Sequence, residues 1–417
     1  MGDREPRRAW RIRTSQEMNV AKEHELKISG QHRFEVLDAW RGLCACLVTI
    51  VHVPVAHAVY ADQWFTNMQL FVDFFFVLSG FVICHAYSAR VGTTTAVGSF
   101  MIRRFGRIWP LHAVVLLGFV AFEVAKIAVE AALHLSFDGA AFSGNRSWEA
   151  LLSNVFLVQA FNLHGMTTWN GPAWSIGAEF YTYLVFAVAV FALGARPLVF
   201  AALAAVGLAG VVWGSEAWLF TTHDFGFFRC LFGFFTGCLT YGLVMRGVPQ
   251  WVFNRGAEWA VVALLAVFLA ITGRAPSSLF APIVFAALVY VFAFEAGVIS
   301  RVLKMAWAQA LGLWSYSIYM VHMLLFAPLK VLLSLATKYA AFGVTLTAAE
   351  PVKLWSFGHV GLDALAVAVA LAGSIALAKF TYRYVEQPAR TWFSAVASRF
   401  EQRRQLVAGA SVRAASA

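Results

Sequence analysis

Ten runs of about 20 apolar residues recur along the chain, and they restrict it to one broad class of fold. They cover 39–60, 68–89, 109–133, 172–194, 197–214, 225–245, 257–273, 278–297, 309–335 and 359–385. A backbone in lipid must satisfy its own N–H and C=O groups, so each run predicts a spanning helix. The expectation is an all-α integral membrane protein of about ten transmembrane helices. A shorter run at 151–163 suits a re-entrant or interfacial segment better than a span. Composition agrees: 60% of the 417 residues are hydrophobic and 13% charged, against about 25% charged in soluble domains.

The net charge of +10 resembles a nucleic-acid signal until its placement is read. With ten spans and a cytoplasmic N-terminus, most of the 32 Lys and Arg fall on the cytoplasmic side. Counting 151–163 as an eleventh span would put the later arginines and the basic C-terminus outside. Both termini are therefore expected in the cytoplasm, with the lipid bilayer as a partner and nucleic acid excluded. Three regions follow: a basic, disordered tail over 1–33, a membrane domain over 34–390 and a basic tail over 391–417. No cleavable signal peptide is expected. The five cysteines lie in apolar runs without a CxxC pair, which argues against a disulfide or zinc framework and leaves no metal expected.

Ionisable groups inside membrane helices are costly to keep and point to a site. Arg41 and His52 share the first span. Eleven residues separate them, which places both on one face about 16 Å apart along the axis. The plain alternatives are that Arg41 snorkels to the interface and that His52 bonds a neighbouring helix. Asp38, one turn earlier, is placed to orient Arg41. In the second span Asp73 lies among phenylalanines and needs a partner or a proton, while Ser79-Gly80 lets another backbone approach.

Arg103, Arg104 and Arg107 precede Pro110, which reads as the start of the third span. Three guanidiniums at a helix entrance suit phosphate, although ordinary positive-inside charge also explains them. Glu123, Lys126 and Glu130 read as a self-neutralised patch. The stretch from Trp169 to Tyr181 opens the fourth span, with Trp174 in an aromatic belt or a sugar-stacking position and Glu179 two turns into the membrane. Arg229 opens the sixth span, and Glu179 is its expected partner. In the ninth span Ser315, Tyr319 and His322 fall on one polar face. Glu386 is expected to pair with Arg383 or Arg390 at the surface.

In this order the motifs resemble the acyltransferase 3 family of integral-membrane O-acyltransferases, which includes enzymes that decorate bacterial surface and exported polysaccharides. The matching pieces are Arg41…His52, Ser79-Gly80-Phe81, Arg104-Phe105-Gly106-Arg107, Trp174-Ser175-Ile176-Gly177-Ala178-Glu179, Ser315-Tyr316-Ser317-Ile318-Tyr319…His322 and Glu386-Gln387-Pro388. The resemblance implies a ten-helix fold in the inner (plasma) membrane, no permanently bound cofactor, and an acyl-CoA donor, by default acetyl-CoA. It implies transfer to a hydroxyl, with a carbohydrate or other hydroxyl compound as the expected acceptor. Some relatives carry a further SGNH-type domain, which is not expected here.

Combined with the residues, the resemblance assigns phosphate contacts to Arg103, Arg104 and Arg107 and guidance of the thioester arm to Arg41. His52 is the expected general base or transient acyl carrier. Glu179 joins Arg41 and His52 as a catalytic candidate. Asp38, Asp73, Ser79, Trp174, Arg229, Ser315, Tyr319 and His322 are expected to line the substrate path. The alternative is a transporter or flippase of a lipid-linked sugar that performs no chemistry. The arginine trio and the motif order favour the enzyme.

Overall fold

The computed structural model describes residues 32–56, 63–133, 139–247, 252, 256–339, 345–349 and 352–415. Expectations for the tail over 1–31 lie outside the described residues. Each of the ten expected spans coincides with one helix. Among the described residues, seven helical segments are long and apolar enough to cross a membrane. The other three expected spans fall on shorter helices: α1 (Glu35–Val51, 17 residues), α8 (Ala257–Ile271, 15 residues) and α9 (Ala281–Phe292, 12 residues). The remaining expected spans are α2 (Phe71–Tyr87), α3 (Thr94–Leu133), α5 (Trp174–Leu193), α6 (Pro197–Gly214), α7 (Gly226–Val244), α11 (Ala306–Tyr339) and α12 (Val360–Thr381). The chain is an all-α, multi-pass membrane protein.

The ambiguous run at 151–163 makes only a short helix, α4 (Trp148–Val155), whose Ser147 cap accepts a bond from the Ala150 N–H at 3.3 Å. Eight residues rise about 12 Å, well short of a bilayer core, and Leu152 and Phe156 are exposed. A short helix α10 (Val298–Leu303) is held by Glu258, whose carboxylate accepts from the N–H groups of Gly297, Ile299 and Ser300. That is an N-terminal cap supplied from another helix. One hairpin interrupts the helices: β1 (Thr345–Ala349) pairs antiparallel with β2 (Val352–Ser356). Trp355 exchanges backbone bonds with Pro54 and Ala56, tying the hairpin to the chain after α1.

Two sequence expectations change. Pro110 does not begin a helix; it lies inside α3, which runs 40 residues. A proline inside a helix forfeits one backbone bond, and here the extra length is supported by packing. The tail beyond 390 is also helical: α13 (Gln387–Ala415) runs beside the first half of α3. Phe393 covers Gly106 and Phe400 covers Gly98. A five-residue π turn, Tyr382–Glu386, links α12 to α13 and rotates Glu386 inward, where it is buried.

Small residues set the closest helix crossings, as expected where lipid supplies no hydrophobic drive. A Cβ on Gly80 would sit 1.8 Å from the Phe234 carbonyl oxygen, and one on Gly237 would sit 1.9 Å from that of Val77. These contacts lock α2 to α7. Gly42 and Gly312 do the same for α1 and α11, where a Cβ on Gly42 would meet the Gly312 nitrogen at 2.4 Å.

Candidate active site

The α1–α11 crossing positions Arg41. Its Nη2 pairs with Asp38 at 3.0 Å and donates to the Gly312 carbonyl at 3.1 Å, while Nε donates to Ser315 Oγ at 2.8 Å. Asp38 therefore orients Arg41, as its spacing anticipated, and also holds Arg33 at 2.8 Å. Arg41 faces a cavity of about 150 Å³ between α1, α2, α3, α5 and α11. Arg104, Arg107, Glu179, Ser79, Ser315 and Tyr319 share this lining.

The two α3 arginines in the cavity are held differently. Arg107 pairs with the buried carboxylate of Glu386, which also accepts from Ser317 Oγ at 2.7 Å. Arg390 lies 3.6 Å from the same carboxylate. Arg107 also lies over the Tyr316 ring at 5.1 Å. Glu386 is thus an interior counter-ion rather than a surface partner of Arg383. Arg104 has no carboxylate among the described residues. It donates to Tyr87 OH at 3.3 Å and rests on the rings of Tyr87, Phe100 and Tyr183. Its Nε is buried without a hydrogen-bond partner. A guanidinium held by ring faces and a single hydroxyl keeps donors free for an incoming anion.

Arg103 is elsewhere. It pairs with Glu401 at 3.0 Å and donates to the Ser394 carbonyl at 3.1 Å, fastening α13 to α3. Three arginines spread over five residues of a helix cannot all face one point. Because α3 is continuous here, no helix N-terminus supports the anion site either.

Glu179 accepts a 2.6 Å bond from Tyr183 OH one turn later. A tyrosine has one proton to give, so the 2.9 Å contact between Ser79 Oγ and Tyr183 OH has Ser79 donating. The acid therefore sits in the cavity with the arginines, held by a two-step relay. Tyr183 and Tyr316 line this site and were missed in the sequence. Tyr183 had a usable signal, its i+4 spacing from Glu179; Tyr316 had only its place in the Ser315–Ser317 stretch.

The expected Glu179–Arg229 pair does not form. Arg229 makes a two-pronged pair with Asp73, Nη2 to Oδ2 at 2.7 Å and Nε to Oδ1 at 3.0 Å. It also lies over the Trp174 ring at 5.3 Å. Asp73, Arg229 and Trp174 do not line the cavity. They fix α2, α5 and α7 to one another.

His52 caps the end of α1, and its ring lies 5.1 Å from that of His322. Neither lines the arginine cavity. The Tyr319 ring, 6.1 Å from His322 and 5.6 Å from Phe75, stands on that side. Tyr319 OH is fixed by Ser175 at 2.9 Å and by the Pro172 carbonyl at 3.1 Å. His52 Nδ1 meets the Val48 carbonyl at 2.8 Å. A carbonyl only accepts, so Nδ1 carries the proton and Nε2 keeps its lone pair. His322 is bonded the same way to Ile318 at 3.2 Å, and its buried Nε2 has no partner. In its neutral form the pair offers basic nitrogens one aromatic layer beyond the guanidiniums.

Residues 34–379 match the family described as acyltransferase domain. Among curated proteins, "Protein 2 in picA locus" of Rhizobium radiobacter is 31% identical over 38% of this chain and 83% of its own length. "Acyltransferase MdmB" of Streptomyces mycarofaciens is 31% identical over 37% of this chain, and the match covers 38% of that protein. No solved structure matches. The family match spans every helix from α1 to all but the last residues of α12, including those that hold the guanidiniums, the carboxylate and the imidazoles; the chain belongs to this acyltransferase family and is a multi-pass membrane acyltransferase.

Proposed function

We propose that the enzyme takes an acyl group, by default acetyl, from acyl-CoA in the cytoplasm and transfers it to a hydroxyl of a carbohydrate acceptor. The observation that carries this reading is Arg104, a guanidinium with no carboxylate partner among the described residues, at a narrow cavity whose far wall adjoins a pair of imidazoles. A cavity of about 150 Å³ is below the usual size of a whole ligand site. It suits the thioester end of a pantetheine arm, with the nucleotide left at the mouth. Arg104 attracts the phosphates there, and Arg41 and Arg107 line the arm's route. Positive-inside placement supports a cytoplasmic mouth and cytoplasmic termini, and the resemblance supports the inner (plasma) membrane.

His52 acts as general base. Its Nε2 removes the proton from the acceptor hydroxyl as that oxygen attacks the thioester carbonyl. The C–S bond then breaks, and the CoA thiolate takes the proton back from the imidazolium. Attack by the imidazole itself, forming a transient acyl-histidine, uses the same nitrogen. Movement of the Tyr319 side chain brings thioester and imidazole together. Purified protein given labelled acetyl-CoA should release CoA and retain or transfer the label, and His52→Ala should abolish this while the protein still purifies as a monodisperse species. Undiminished turnover in His52→Ala would remove His52 from the chemistry, and no turnover by the native protein with any acyl-CoA would remove the donor.

A further inference from the structure

α3 and α11 each pass two cavities. At one end they line the arginine site. Toward the other end they enclose a larger space of about 700 Å³, completed by the 139–146 loop and Trp355 of β2. The order along α11 is informative. Tyr319 lines the first cavity, His322 lies in the partition, and Ala327 and Lys330 line the second. Lys330 is eight residues beyond His322, about 12 Å along a helix.

The charge of the second cavity is unbalanced. Among the described residues its one carboxylate, Glu123, is already engaged by Arg146 and by Lys126 at 3.3 Å. Lys330 adds a further cation to the lining. Among the described residues Lys330 has no hydrogen bond and no ion pair. An ammonium held part-buried on a membrane helix is costly without a counter-charge, and the one carboxylate among the described lining residues is taken.

We propose that this second cavity is the acceptor site and that it takes an acceptor carrying an anionic group, a carboxylate or a phosphate, held by Lys330 with a hydroxyl directed at the histidine pair. This rests on the acyl-transfer reading for its role, but the anion preference can be tested separately. Arg146 and Lys126, each shared with Glu123, set the rim of the same field. Trp355 gives an apolar wall against which a sugar ring can lie.

The test uses the full chain in phosphatidylcholine nanodiscs and the acetylation of Lys330 by an impermeant succinimidyl ester, followed by peptide mass spectrometry. Three matched sugars are compared at equal ionic strength: glucuronate, glucose 1-phosphate and glucose. Lys304, paired with Glu295 at 2.7 Å and outside this cavity, is the internal reference. Glucuronate or glucose 1-phosphate should slow Lys330 labelling at least fivefold relative to Lys304, with glucose giving no protection. Protection by one anion alone assigns the carboxylate or the phosphate. Equal rates with all three sugars, or a Lys330 that the reagent does not reach, overturns the proposal. Acetyl-CoA turnover by the same sample is scored independently. Its absence alongside intact anion protection would sink the enzymatic reading and leave the anion site standing; turnover without protection would do the reverse.

Discussion

Replacing Asp73 by Asn tests whether the pair it makes with Arg229 is architecture or chemistry. The two side chains are 0% and 3% exposed, and two of the guanidinium's donors point at the carboxylate. Asn preserves the shape and removes the charge. Arg229 keeps its bond to the Thr221 carbonyl at 2.9 Å but becomes an uncompensated buried cation. Breaking one side of such a pair costs roughly 3–5 kcal/mol, whereas replacing both partners with apolar residues is often nearly neutral. At about 1.4 kcal/mol per factor of ten, the folding constant should fall by between about 10² and 10⁴. Detergent-titrated unfolding of the purified protein reads this directly. Asp73→Leu with Arg229→Met should recover most of the loss, leaving about 1 kcal/mol for the abandoned Thr221 carbonyl. Because neither residue lines the cavity, kcat/KM of the folded Asp73→Asn protein should be unchanged. A stability loss below about 1 kcal/mol, or a double variant no better than the single one, would refute the reasoning. So would a folded single variant with intact stability and no activity, which would return Asp73 to the substrate path.

Other expectations follow from the site and its scaffold. Glu386→Gln should weaken the hold on Arg107 and raise KM for acetyl-CoA several-fold more than it lowers kcat; equal loss in both would argue that Glu386 acts beyond positioning. Arg104→Lys keeps the charge but loses the planar fork and ring stacking, so the acetyl-CoA KM should rise about tenfold in a steady-state assay. Tyr183→Phe breaks the Ser79–Tyr183–Glu179 relay and should lower kcat at least tenfold in the same assay with little change in thermal stability. Gly80→Leu cannot fit against the Phe234 carbonyl and should yield aggregated protein on size-exclusion chromatography; a monodisperse peak would contradict the α2–α7 crossing described above.

The helices were legible in the sequence because bilayer thickness imposes a length on apolar runs, and rejection of 151–163 as a span agrees with the short α4. The residues gathered at the cavity from α1, α2, α5 and α11 were also legible, since polar groups kept on apolar helices are conspicuous. Partner choice was not. Depth alone pointed to Glu179 as the partner of Arg229; rotation gave Arg229 to Asp73 instead, and rotation is set by the Gly80 and Gly237 contacts. The role of Glu386 depends on a π turn that no residue pattern announced. Arg103 looked identical to Arg104, yet α3 turns it toward α13. That docking depends on Gly98 and Gly106, which read as loop residues until the phenylalanines covering them are known.

The partition formed by Phe75, Tyr319 and the two imidazoles has a further consequence. On the proposed reading one reactant comes from each face of the membrane, and such a catalyst is in danger of becoming a pore. Here the separation is a single aromatic layer, thin enough for a side-chain movement to bridge. On that reading the ion gradient across the membrane and the acyl donors are guarded by the same few rings.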